Sequence, residues 1–410
     1  MCLKPLIASY GGGHVQIGVA LARGFISRGD KPDVIGLTTA YAEYHRQGIE
    51  AKSIAAFWDP EEDQKWLELV EEFVTGHSHP DISAEDTRIY FALGLRDMAL
   101  TLGEEKALEQ LRLRGREAFC PVGAARRYLQ KTKPDIVITT TSPRFELALQ
   151  IAAKQEGIPS LAVGDLFLRQ EKIWITLPEY GPNLAVLSSP VKESMVAEGF
   201  PRDGIRVTGN PAFDNLVLGP DAEDKRNALR ETIGFSDKSI ILFPAPSRAS
   251  LPTGEDFIDI ETLINRLEEF CSEHTEFAYV IRAHPNGQVA WPTYAKHGVL
   301  DDGRQLSAAE VILLSDSVLV ETSTMGFEAA LMGKNVICVG FEDYVDYTKF
   351  GFGQACDTLE EALHALLTLK EGGAPNMDMP PLGTATMNVL DFVDAIVSGS
   401  LAPASALPSD

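Results

Sequence analysis

The stretch LKPLIASYGGGHVQIGVALARGFISRGDKPDVIGLTT, residues 3–39, decides the fold. Leu3–Ser9 is an apolar run of strand length, and Gly11-Gly12-Gly13-His14 breaks it. Val15–Arg28 then carries apolar residues at helical spacing, and Asp33–Thr38 is apolar again through Val34, Ile35 and Leu37. Strand, glycine loop, helix, strand is a βαβ unit, which requires a parallel sheet with helices laid on it.

The alternation continues outward from that unit. Residues 60–130, rich in Glu, Leu, Ala and Arg, read as helical. Pro134–Thr140 and Pro159–Val163 read as strands flanking a helix at Glu146–Gln155. A second series starts at Leu184–Leu187 and includes strands at Ser239–Pro244, Phe277–Arg282, Ser317–Val320 and Asn335–Val339. Gly333 closes a helix at Thr324–Met332. The fold class is therefore α/β, with two doubly wound Rossmann-like domains at 1–183 and 184–384. Residues 385–397 form a final helix, and the Ala/Pro/Ser-rich tail 398–410 is expected to be disordered.

The bulk composition sets limits on function. A chain of 410 residues suits two domains. Its 59 acidic against 36 basic residues, a formal charge of −23, argue against nucleic-acid binding, which needs clustered Lys and Arg. The same charge limits membrane association to peripheral contact. The five cysteines include no CxxC pair and read as free thiols in a reducing cytosol. No run approaches the ~20 apolar residues of a membrane span, so a soluble, cytoplasmic protein is expected.

Three motifs carry chemistry. Gly11-Gly12-Gly13-His14 lies at a strand-to-helix turn, where glycines let the backbone approach a ligand and a helix start favours an anion. It lacks the Gly-Lys-Ser/Thr ending of a P-loop and the third spaced glycine of a dinucleotide fingerprint, which weakens the ATPase and dehydrogenase readings. Arg282-Ala283-His284-Pro285-Asn286 lies at the carboxyl end of a strand, where open α/β sheets bind ligands. Glu321-Thr322-Ser323-Thr324-Met325-Gly326-Phe327-Glu328 is a strand end with hydroxyls leading into a helix. There Ser323, Thr324 and free N–H groups suit an anion, and Glu328 suits a pair of sugar hydroxyls. Each motif also has a plainer reading: a tight turn, a helix-capping loop, or a capped helix. Asp301-Asp302 before Gly303 reads as a solvated turn, and Asp81, Glu85 and Asp86 near His77 and His79 as a capped, solvated helix face.

Together these motifs resemble the GT-B glycosyltransferase superfamily. The glycine loop resembles that of the peptidoglycan N-acetylglucosaminyltransferase. Val207-Thr208-Gly209-Asn210-Pro211-Ala212-Phe213-Asp214 resembles the interdomain strand and turn of the UDP-N-acetylglucosamine 2-epimerases. His284-Pro285 and Thr322–Ala329 are similar to capsule Kdo transferases and bacterial sialyltransferases. The resemblance implies two domains facing across a cleft, with the last helix crossing back to the first domain. The donor, a nucleotide sugar with UDP favoured over CMP, would be held by Gly209, Asn210, Arg248, Arg282, His284, Ser323, Thr324, Met325, Gly326 and Glu328. The acceptor (a glycan, a lipid-linked sugar or a small molecule) would face Gly11, Gly12, Gly13 and His14. No cofactor beyond the nucleotide sugar and no catalytic metal are implied, and a homodimer is allowed for. Asp165 and His14 rank first as catalytic base, with Glu146 third. Epimerisation of the nucleotide sugar is the alternative activity, and a non-catalytic nucleotide-sugar-binding protein a further one.

Overall fold

The computed structural model describes residues 2–77, 79–246, 258–284, 289, 291–321, 323–340, 348–368 and 378–400. They form two compact units, Met1–Asn215 with Asp378–Asp410, and Leu216–Met377. Each unit holds one six-stranded sheet, parallel throughout.

The first sheet contains β1 (Pro5–Ser9), β2 (Asp33–Gly36), β3 (Ile136–Thr139), β4 (Ser160–Val163), β5 (Leu184–Val186) and β6 (Ile205–Val207), in the order β2-β1-β3-β4-β5-β6. All five residues of β1 are buried, as a strand covered on both faces requires. Leu6 and Ala8 join the core on one face, and Leu3 and Ile7 the core on the other, following the two-residue period of a strand. The helix Gly13–Ser27 covers one face. Residues 60–132 are mainly helical and build the core on the opposite face.

The second sheet contains β7 (Ser239–Pro244), β8 (Phe277–Arg282), β9 (Gly298–Asp301), β10 (Ser317–Val320), β11 (Asn335–Val339) and β12 (Gln354–Cys356), in the order β12-β11-β10-β7-β8-β9. Ile241, Phe243, Tyr279, Ile281, Leu319 and Ile337 pack beneath Leu263 and Leu267 of the helix Ile260–Glu273. Each such side chain contributes about 1.5–3 kcal/mol on burial.

The strand orders place the ligand sites. Strand order reverses between β1 and β3 in the first sheet, and between β7 and β10 in the second. At such a point the connections leave to opposite faces and a crevice opens outside the carboxyl ends of the strands.

The domain boundary expected near residue 184 is corrected. β5 pairs in parallel with β4, and β6 with β5, so residues 184–207 extend the first sheet and the first unit runs to Asn215. A continuing strand and a restarting one read alike in one dimension. The helix Ala385–Val397 belongs to the first unit, where Val389, Leu390, Phe392 and Val393 pack with Phe25. The Asp214 carboxylate caps it, accepting from Ala385 N–H at 3.0 Å and Thr386 N–H at 2.7 Å. From residue 401 onward the tail lies outside the described residues.

Candidate functional site

At the β1/β3 switch point the chain leaves β1 through Tyr10 and the glycines. Gly12 has φ 70°, a left-handed conformation that glycine adopts without strain. Gly11 is pressed against Thr39, whose Oγ1 would lie 1.7 Å from any added Cβ. A side chain at Gly11 would therefore force Thr39 to move. His14 follows at the start of the helix, and its Nδ1 is enclosed with no hydrogen-bond partner among the described residues. The Asp165 carboxylate, just beyond β4, lies over Gly13: its Oδ2 is 3.5 Å from the site of an added Cβ. Buried Asn210 fixes Asp165, donating from Nδ2 to its carbonyl at 2.6 Å and to Oδ1 at 3.3 Å.

Glu146 is fully buried beneath this loop. Its carboxylate accepts from Tyr10 N–H at 2.8 Å, from the Thr140 hydroxyl at 2.5 Å and from Ser142 N–H at 3.2 Å. Burial pushes its carboxyl up from the ordinary range, against the pull of His14, Thr140 and the two N–H groups. With both oxygens occupied, Glu146 organises the loop ends of β1 and β3. Its ranking as a direct base is thereby corrected.

Arg144 and Thr141 are members of this site that sequence reasoning passed over. Arg144 sits at φ 69°, a strained backbone for a non-glycine residue, with its guanidinium 5.3 Å from the Tyr10 ring. Its Nε and the Thr141 Oγ1 are buried without partners among the described residues, like His14 Nδ1. The polar run Thr139-Thr140-Thr141-Ser142-Pro143 ahead of Arg144 was the available signal. Unpartnered buried polar atoms are rare in native proteins and need a cause, such as a ligand that completes them.

In the second unit, Glu321 stands at the end of β10, beside the β7/β10 switch point. Its Oε1 accepts from Ile258 N–H at 2.9 Å, while Oε2 is buried without a partner among the described residues. Burial raises its carboxyl to about 7, opposed by the Ile258 N–H. Ser323 and Thr324 follow, and the helix Met325–Leu331 carries Glu328, half-buried and also pushed up by burial. Ser323 Oγ already accepts from Met325 N–H at 3.3 Å. Gly326 lets the helix close on β10, since a Cβ there would lie 2.8 Å from Val320 Cγ1. His284 is half-buried two residues beyond Arg282, which pairs in register with Pro244 of β7. His284, Glu321, Ser323 and Thr324 thus share the carboxyl ends of β8 and β10, on either side of β7.

Several sequence assignments change. Gly209 and Asn210 lie in the first unit, where Asn210 holds Asp165. Arg282 is committed: its guanidinium pairs with Asp301 and donates to the Leu306 carbonyl at 2.8 Å, which makes it a poor phosphate cation. Asp301 ends β9 and is 7% exposed, so it is no solvated turn. Asp81 precedes the helix Ala84–Leu102, capped by Ser83, and pairs with Arg46 at 2.9 Å. Arg248, Pro285, Asn286 and Thr322 lie outside the described residues. No helix among the described residues is long and apolar enough to cross a membrane.

No family model and no curated protein sequence matches the chain. Solved structures do. The Neisseria meningitidis UDP-GlcNAc 2-epimerase, bound to UDP-GlcNAc, superposes with a TM-score of 0.62 at 14% identity, over 95% of this chain and 99% of that one. The Methanocaldococcus jannaschii UDP-GlcNAc 2-epimerase gives 0.59 at 13%, over 96% and 99%. A calicheamicin glycosyltransferase gives 0.54 at 13%, over 98% and 100%. Across nearly its whole length, this chain has the GT-B-like fold of these epimerases and of this glycosyltransferase.

Proposed function

We propose that the chain is an enzyme acting on a nucleotide-linked sugar, and within that class a glycosyltransferase. The observation that carries the reading is where the unsatisfied atoms fall. Of the ten buried polar side-chain atoms without a partner among the described residues, four fall at the switch points: His14 Nδ1, Thr141 Oγ1 and Arg144 Nε ring one, and Glu321 Oε2 lies at the other. Two Rossmann-like sheets each present such a site, and UDP-GlcNAc is the sugar nucleotide that the epimerase neighbours act on. Their UDP-GlcNAc favours UDP over CMP.

In this reading the second unit holds the donor. His284, Ser323 and Thr324 meet the phosphates, Glu328 the ribose, and a protonated Glu321 can donate to a phosphate oxygen. Leaving-group charge is met without a metal. In the first unit His14, with Asp165 beside Gly13, takes the proton from the acceptor hydroxyl as the glycosidic bond to the nucleotide phosphate breaks. Glu146 is a poor member of the pair that epimerisation needs, so that reading would fall to His14 and Asp165. Inverting C2 needs one group to remove a proton and another to return it on the opposite face. The second carboxylate at this switch point is enclosed and occupied on both oxygens.

Epimerisation is the second reading, supported by the 2-epimerases that predominate among the neighbours. Incubation with UDP-GlcNAc in D2O separates the two by proton NMR. Transfer predicts a stable substrate until an acceptor is added. Deuterium entering at C2 without an acceptor refutes transfer in favour of epimerisation. A melting-shift panel of UDP, CMP, GDP and dTDP tests the donor site itself, and the expected result is stabilisation by UDP.

A further inference from the structure

The first unit contains a cavity of about 300 Å³ that no step above uses. It lies beyond the end of β2, against the helix Ala84–Leu102. Ile54, Tyr90 and Phe91 supply an apolar, largely aromatic wall, and Asp86, His79 and Arg116 bring polar groups to the same space.

Those polar groups are arranged for a ligand that both donates and accepts. His79 Nδ1 accepts from Asp81 N–H at 3.1 Å, so its Nε2 carries the proton and donates. Asp86 receives the Ser53 hydroxyl on Oδ1 at 2.7 Å, which leaves Oδ2 as an acceptor. Arg116 makes no ion pair among the described residues, whereas nearby Arg88 and Arg112 pair with Glu71 and Glu72. Thr38, also lining the cavity, is held at φ 62°, a strained backbone of the kind found at ligand sites.

The cavity is tied to the glycine loop at two points. Thr39, in its lining, is the residue against which Gly11 is pressed. Tyr90 hydrogen-bonds through its hydroxyl to that of Tyr10 at 3.0 Å, and the Tyr10 N–H is held by Glu146. A ligand here therefore sits beside the loop that carries His14.

We propose that this cavity seats the terminal sugar ring of the acceptor. The proposal rests on the transferase reading. Its volume, at the low end of the ~300–1,000 Å³ typical of small-molecule pockets, suits one ring better than a nucleotide sugar. The C–H face of a pyranose stacks on Tyr90 and Phe91. Its hydroxyls donate to Asp86 and accept from His79 and Arg116. A plain aryl group would fill the wall and leave those polar groups unpaired.

Saturation-transfer NMR on the full chain tests this, using methyl glycosides of glucose, N-acetylglucosamine and glucuronic acid at about 10 mM, with p-nitrophenol as the aryl control. At least one glycoside is expected to take up saturation. Its signal should fall several-fold in Phe91→Leu and in Arg116→Ala, with the melting shift by UDP unchanged. If no glycoside is saturated, if both variants match wild type, or if only p-nitrophenol binds, the proposal is overturned. The parent reading fails separately. Deuterium entering C2 of UDP-GlcNAc without acceptor sinks transfer even if the cavity binds a sugar. Acceptor-dependent UDP release with an acceptor KM unmoved in both variants sinks the cavity and spares transfer.

Discussion

Glu321 offers a test of the second unit's site by stability alone. Its carboxyl is enclosed, with one N–H on Oε1 and no partner for Oε2 among the described residues, and burial holds it at about 7 against an ordinary 4.5. The folded value is the higher one. The stability tied to the neutral carboxyl is therefore complete below about pH 4.5 and is lost as pH rises through about 7. The full rise corresponds to about 3 kcal/mol, at about 1.4 kcal/mol for each pH unit. Glu321→Gln keeps an acceptor for Ile258 N–H and cannot ionise. Its advantage over wild type should grow by about 2 kcal/mol between about pH 5.5 and about pH 8.5. For a unit of this size that is about 4–8 °C in Tm. Scanning calorimetry at the two pH values measures it, read on the transition of the second unit. A gap that stays constant with pH, or shrinks towards pH 8.5, refutes a buried, proton-holding Glu321.

Two further predictions concern the first unit. Asp165→Asn and His14→Ala should each lower turnover by about 10²–10⁴-fold while leaving the UDP-induced melting shift intact, and near-wild-type turnover in both would remove them as the base. Asp214→Ala deletes the acceptor for the first two N–H groups of the helix Ala385–Val397 and should cost about 1 kcal/mol. Hydrogen exchange at Ala385–Val389 should accelerate accordingly, and unchanged exchange would show that the cap is idle.

Much of the site was legible because strand ends are marked by composition. Apolar runs give way to glycines at Gly11 and to hydroxyls at Thr139 and Ser323, and parallel sheets bind ligands at those ends. Asn210 was visible as a motif but misplaced, because a turn after a strand does not say which sheet the strand joined. Arg282 looked like an available cation, because its partner Asp301 lies nineteen residues away on the next strand. Arg144 stood two residues from a named candidate and gave no sign of its strained backbone.

The sequence by itself determined the α/β class, the parallel strands and the glycine loop, because each follows from local periodicity and from what glycine permits. Tertiary structure decided the boundary at Asn215, the two switch points, the enclosure of Glu146 and Glu321, and the cavity beside Thr39. The physical reason is that strand order, burial and the pairing of charges are set by contacts between distant segments. A residue's solvation, and with it its chemistry, exists only once those contacts have formed.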